Sequence, residues 1–252
     1  MIWYLALFFL FSSSIHASSI EEANQKYFEA ERAKDVTERK KLFNDALTLY
    51  LRSEPQNPSE KFCYNIANTY FQLGEYGYAI LYYNKGLKVS PRDARIQNNL
   101  LIAMQKAGLS PPSSSFIKDY LLSFHYDLSH NEKVTTCLIL FFLIFALLSL
   151  HIWSKQQVRV YKQLSLCCIV IASAFILSII WANYLQTPVA VIIHPTGLRI
   201  DAGSEYKAVA NAKVLPGMKV DVLASENNGA WLRVRLPSNQ EGYVGKENAR
   251  VI

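Results

Sequence analysis

Two interior apolar stretches of this chain, Val134 to Trp153 and Leu164 to Leu185, carry no Asp, Glu, Lys or Arg. As α-helices, each is long enough to cross the hydrocarbon core of a bilayer, which takes roughly 20 apolar residues. In lipid a lone segment of this kind must be helical, because only then are its backbone N–H and C=O groups satisfied internally. Trp153, Tyr161, Trp181 and Tyr184 stand near the ends, where amphipathic rings settle at headgroup level. The connector 154–163 carries Lys155, Arg159 and Lys162 and no acidic residue, so the positive-inside rule places it in the cytoplasm. The parts of the chain before and after the two spans (134–153 and 164–185) then share the opposite side.

The formal charge of +6 over 252 residues is spread along the chain and forms no basic face, which argues against nucleic acid as a ligand. Residues 1–17 begin with an aromatic-rich apolar run to Ile15 and close on His16-Ala17, before Ser18. Two readings stand for this segment, a cleaved secretory signal peptide or a retained N-terminal anchor. Either agrees with an exported N-terminal region. The four cysteines, Cys63, Cys137, Cys167 and Cys168, have neither disulfide-framework nor metal spacing and read as packing residues.

Between Cys63 and Pro91 small or aromatic residues fall at Ala67, Tyr70, Gly74, Tyr76, Ala79, Tyr83 and Gly86. Apolar positions recur at three and four residues on either side of Gly74-Glu75, which predicts two helices in a hairpin. The small residues let the helices approach closely. Two short helices cannot bury such faces alone, so neighbouring hairpins are implied. The stretch resembles a tetratricopeptide repeat, with Cys63 where that family usually has Trp and Gly86 where it usually has Ala. Ile20 to Tyr50 reads as a degenerate first repeat, in which Phe43 and Ala46 keep the separation of Tyr83 and Gly86. Ala94 to Ala107 supplies a capping helix ended by Gly108. The expected repeat domain is 20–110.

Residues 111–133 read as a linker and juxtamembrane helix, with an apolar stripe through Phe116, Ile117, Tyr120, Leu121, Phe124 and Leu128. Lying in the membrane interface and packing back on the repeats are both open for it. Ser129 and Glu132 have capping-box spacing.

From 187 to 252 the period changes to two. Val189–Ile193, Lys219–Leu223, Trp231–Leu236 and Gly242–Val244 read as short strands separated by Pro, Gly and Asn turns. Leu198–Ser204, Pro216–Val220, Trp231–Val234 and Glu241–Val244 resemble a bacterial SH3 domain, which implies a small all-β barrel. Tyr206, Trp231 and Tyr243 are candidates for an aromatic strip, with Trp231 expected in the barrel core. The chain is thus expected to be a multidomain membrane protein: an α-helical solenoid, two transmembrane helices and a C-terminal SH3-like barrel.

No phosphate loop, nucleophile elbow, zinc-protease motif or paired CxxC is present, so the expected function is not enzymatic and no cofactor is implied. His125, Asp127 and His130 read as interfacial polar residues rather than metal ligands. What remains is binding surface. In tetratricopeptide repeats the first helix of each hairpin lines a concave groove. Carried over, this implies Lys61, Tyr64, Asn65, Asn68, Phe71 and Gln72, with Arg95, Asn98, Asn99 and Ile102 from the following helix. Such a mixture suits a peptide, and Asn65 with Arg95 is placed to meet a carboxylate.

The order of signal, repeats, two spans and SH3-like domain resembles the BatE family of the Bacteroides aerotolerance operon. That resemblance implies an inner-membrane interaction protein with both folded regions in the periplasm. It also implies partners among von Willebrand A-type membrane proteins and a MoxR-type ATPase system, and a role in oxygen tolerance. A cell-wall tether, with the SH3-like domain on peptidoglycan and the repeats recruiting an envelope enzyme, is the alternative.

Overall fold

In the computed structural model, residues 19–111, 122–153 and 158–252 are described. The expected signal segment and part of the juxtamembrane stripe, including Phe116 to Leu121, lie outside them. The described chain forms two compact units. One contains 19–87, 93–111 and 188–252; the other contains 88–92 and 122–187.

The first unit opens with helices α1 (residues 19–32), α2 (Val36–Arg52), α3 (Glu60–Gln72), α4 (Tyr76–Val89) and α5 (Ala94–Lys106). Short polar side chains start them. Asp35, Ser59 and Asp93 each accept a bond from a first-turn N–H, satisfying donors that a helix cannot pair internally. Glycines stop them. Gly74 and Gly108 take φ of 82° and 73°, and the N–H groups of Glu75 and Leu109 reach back to the carbonyls of Tyr70 and Met104 at 2.9 Å. The hairpin break expected at Gly74 is therefore a left-handed cap. Ala23, Ala46, Ala67, Ala79 and Ala103 are fully buried where helices meet, and Ile66, Ile80, Ile96 and Tyr83 fill the space between.

The same unit contains five antiparallel strands: β1 (Val189–Ile192), β2 (Lys219–Glu226), β3 (Trp231–Arg235), β4 (Glu241–Gly245) and β5 (Ala249–Val251). Their order is β4-β3-β2-β1-β5. β5 lies beyond the strands read from the sequence. Among the described residues the sheet is open, which corrects the expectation of a closed barrel. Arg199 makes one bridge with Tyr243 at the β4 edge, exchanging two backbone bonds of 2.8 Å, and the pairing goes no further. Gly242 permits this crossing, since a Cβ there would lie 2.6 Å from the Arg199 carbonyl.

Leu232, Val234, Val220, Val244, Ile192 and Leu198 form the core of the sheet region. Trp231 is only half-buried and lies on the opposite side of β3 with Arg233 and Arg235. The expectation of Trp231 in the core is thus corrected, because strand alternation gives the inward positions to Leu232 and Val234.

β1 is buried on both faces. Ala190 and Ile192 belong to the core of the sheet, whereas Val191 and Ile193 belong to the core of the helices. Full burial of aliphatic side chains of this size contributes about 1.5–3 kcal/mol each. Gly77, near the start of α4, meets β1 so closely that a Cβ would sit 2.4 Å from the Ile193 carbonyl oxygen.

The second unit holds a short helix α6 (Ser123–Tyr126) and the long helices α7 (His130–Trp153) and α8 (Val158–Ile180), the last continued by a wider π-helical turn to Leu185. The expected capping box is made: Ser129 N–H donates to Glu132 Oε2 at 2.8 Å, and Glu132 N–H donates to Ser129 Oγ at 3.3 Å. α7, and α8 with its extension, are long and apolar enough to cross a membrane. Phe141, Phe145 and Leu177 leave most of their apolar surface outside any protein contact.

Candidate functional site

Helices α1, α3 and α5 present one face to a groove of about 320 Å3 lined by Tyr27, Glu31, Tyr64, Asn68, Phe71, Gln72, Tyr83, Asn99 and Ile102. Helical spacing explains the α3 set. Residues 64, 68, 71 and 72 stand at i, i+4, i+7 and i+8, so they share one face.

One hydrogen-bonding unit occurs twice among the helices, and the copy centred on Asn68 forms the floor of the groove. Asn68 Oδ1 accepts from the Tyr83 hydroxyl at 2.5 Å and from Asn99 Nδ2 at 3.0 Å. In the preceding hairpin Asn24 Oδ1 accepts from the Tyr50 hydroxyl at 2.6 Å and from Asn65 Nδ2 at 3.0 Å. Each unit joins an amide on a first helix to a tyrosine on the second helix and an amide on the next first helix. By this measure Tyr50, and not Phe43, holds the position that Tyr83 holds in its own hairpin. Phe43 instead packs edge-on against Tyr27, with ring centroids 5.3 Å apart.

Asn99 Nδ2 also reaches the Tyr64 hydroxyl at 3.3 Å. Among the described residues, Asn68 Nδ2 and Asn99 Oδ1 keep no protein partner. One donor and one acceptor on the floor match the C=O and N–H of a peptide bond. Phe71 and Ile102 add apolar wall, and Ile102 is 45% exposed without any partner on it. Burial, followed by the nearby Glu31 carboxylate, pushes the Tyr27 phenol up to about 12.

Of the residues expected to bind, Tyr64, Asn68, Phe71, Gln72, Asn99 and Ile102 line the groove, and Lys61, Asn65, Arg95 and Asn98 do not. Lys61 and Asn98 are exposed outside it. Asn65 spends its amide on Asn24. Arg95 pairs with Asp93, the N-cap of its own helix, at 2.7 Å, and its guanidinium carbon lies 5.5 Å from the Tyr64 ring centre. Asn65 and Arg95, the pair expected to be able to meet a carboxylate, thus each hold a partner within the chain. Tyr27 and Glu31 come from the degenerate first repeat, where spacing is a weak guide, and Tyr83 reaches across from the second helix.

The opposite side of the α3–α4 hairpin uses tyrosine differently. Tyr70 stacks on Tyr78 at 4.7 Å and 11°, and on Tyr82 at 5.7 Å and 22°. Tyr82 donates to Glu54 at 2.9 Å, while Lys85 pairs with the same carboxylate at 3.2 Å and lies over the Tyr82 ring. Tyr78 meets His194, just after β1, edge-on at 5.4 Å.

On the sheet, Tyr243 stands opposite Arg233 and donates to Glu226 at 3.1 Å, while Arg233 and Arg235 both pair with Glu241. Tyr206 is exposed. No cluster of His, Cys, Asp or Glu suited to a metal ion occurs among the described residues.

Residues 61–93 match the tetratricopeptide repeat, a protein-interaction module. Comparisons with curated proteins and with solved structures return no match.

Proposed function

We propose that this chain is a non-enzymatic membrane scaffold that binds a peptide segment of a partner protein in the groove between α1, α3 and α5. The carrying observation is the floor of that groove. Asn68 and Asn99 are held by Tyr83 and by each other, yet keep a donor and an acceptor for a peptide backbone. Phe71, Ile102 and Tyr64 would take its side chains. The match of residues 61–93 to a protein-interaction repeat supports the same reading.

In this reading α7 and α8 cross the inner membrane, the 154–163 connector is cytoplasmic, and repeats and sheet work in the periplasm. The membrane holds the groove at high effective concentration beside other membrane proteins. The resemblance to the BatE family supports von Willebrand A-type proteins as partners, with a MoxR-type ATPase system behind them, in an aerotolerance or envelope stress complex. The C-terminal region is read as SH3-like, by the resemblance of its segments and by its five-stranded antiparallel sheet.

The test is co-purification of the full-length chain from membranes in mild detergent. A von Willebrand A-type protein should be recovered, and should be lost from a Phe71→Ala/Asn99→Ala variant that keeps its helicity. The tether alternative draws on the outward Trp231, Arg233 and Tyr243. If the full-length chain sediments with purified peptidoglycan and retains no protein partner, the tether replaces the scaffold.

A further inference from the structure

Repeat stacks must close their apolar ends, and a terminal hairpin or a polar-faced helix normally does so. Among the described residues, α5 follows the α3–α4 hairpin with no second helix packed beside it. Ala103 and Ile80 are buried in one core, and Met104, Ala107 and Leu109 pack against it. Val191, Ile193 and Ile252 complete that core, and all three come from the sheet at the other end of the chain. The fit is close on both sides. Gly77 admits the Ile193 backbone, and a Cβ on Gly217 would lie 2.2 Å from Ile80 Cδ1 and 3.0 Å from Leu109 Cδ1. Gly217 also has φ of 85°, a conformation that favours glycine.

We infer that the C-terminal sheet is a cap of the repeat stack, closing the apolar end of the helical core with Val191, Ile193 and Ile252. The two long apolar helices are then a closed excursion from one folded body. The chain leaves that body after Pro111 and rejoins it at Pro188. If α7 and α8 cross a membrane, both outer ends must lie on the side that holds the body, whatever the charge of the connector. This second half rests on the membrane-spanning reading above; the capping half does not. The cap also explains why β1 carries apolar residues at Val191 and Ile193, which face away from the interior of its own sheet. A regular edge-facing strand would place polar residues there.

The experiment uses the full-length chain with Cys137, Cys167 and Cys168 changed to Ala. Cys63 is retained, because burial raises its thiol to about 11 and leaves it unreactive near neutral pH. In a Tyr78→Cys/His194→Cys variant, a short bifunctional maleimide should join the two positions, and linked peptides should be recovered after digestion. Adding Gly77→Val should abolish the link, while Lys106→Cys and Lys246→Cys, at exposed positions, report topology separately. With a membrane-impermeant maleimide on intact, outer-membrane-permeabilised cells, both should label together or both be protected. Absence of the 78–194 link in a chain of unchanged helicity overturns the cap. Labelling of one site with protection of the other overturns the closed excursion. A link that forms in a chain found in the soluble fraction keeps the cap and removes the membrane reading alone.

Discussion

The α3–α4 hairpin has two tyrosine-rich sides with opposite fates. On the groove side, Tyr64 and Tyr83 point their hydroxyls at amides and leave hydrogen-bonding capacity unused. On the other side, Tyr70, Tyr78 and Tyr82 stack on one another, and the chain carries on into a core shared with β1. Residue type does not separate the two. What separates them is whether the chain itself supplies the covering partner. The covered side makes stability, and the open side is the one proposed to bind.

Substitutions should therefore divide cleanly between the two sides. The largest stability loss is expected for Tyr70→Ala, because Tyr70 is 7% exposed in the middle of the stack. Removing such a ring costs about 3–5 kcal/mol, measurable by denaturant unfolding followed by circular dichroism. Tyr64→Ala, at a half-buried groove position, should cost far less and should weaken partner capture instead. Equal stability losses at the two positions would erase the distinction.

Next comes Gly77→Val. A side chain there ordinarily gains helix propensity over glycine, but the Ile193 carbonyl stands in its way. A net loss of about 2–3 kcal/mol is expected, as for overpacked sites, together with loss of the contact between repeats and sheet. A neutral or stabilising effect would show that β1 does not press on α4.

Alkaline pH tests both sides together. Burial raises the phenols of Tyr50, Tyr70, Tyr82 and Tyr83 above their ordinary 10.0. These groups are neutral when protonated, and their folded pKa exceeds the unfolded one. Their contribution is therefore complete below pH 10 and is lost as pH rises through the folded values. Each such phenol should remove about 1.4 kcal/mol per pH unit above 10. Tyrosinate absorbance should appear late and together with loss of helicity. Early, non-cooperative ionisation of all tyrosines would contradict the burial.

Smaller effects distinguish the hydroxyls. Tyr83→Phe should cost about 1 kcal/mol, the net worth of one hydrogen bond, and should loosen Asn68 on the groove floor. Asn68→Ala and Asn99→Ala should each cost less stability than Tyr70→Ala and yet reduce partner affinity by roughly tenfold, about 1.4 kcal/mol. Titration of a captured partner segment by calorimetry would give both numbers.

The helical hairpin was legible because Gly74 and its flanking three–four periodicity are local features. The capping box at Ser129 and Glu132 was legible for the same reason. β5 escaped because Ala249–Val251 is three residues long and too short to show alternation. The size of Trp231 points to a core position, but strand register gives the inward sites of β3 to Leu232 and Val234. The α3 and α5 lining of the groove follows from helical spacing, but Tyr27 and Glu31 depend on how α1 packs, which spacing alone does not determine. The pairing of Arg95 with Asp93, by contrast, is local, two residues along the chain, and follows from the N-cap position of Asp93. The docking of β1 on α4 was invisible for a physical reason. Val189 to Ile193 is apolar throughout, so its pattern states that both faces are buried without naming what buries the second.

The most direct test places a photoreactive residue at Phe71 in one full-length chain and at Tyr78 in another, with irradiation in intact cells. The account predicts that Phe71 captures a separate protein, while Tyr78 captures only this chain's own segment around His194. Capture of a separate protein from Tyr78, with none from Phe71 in a folded chain, would contradict it by exchanging the binding and the covered sides.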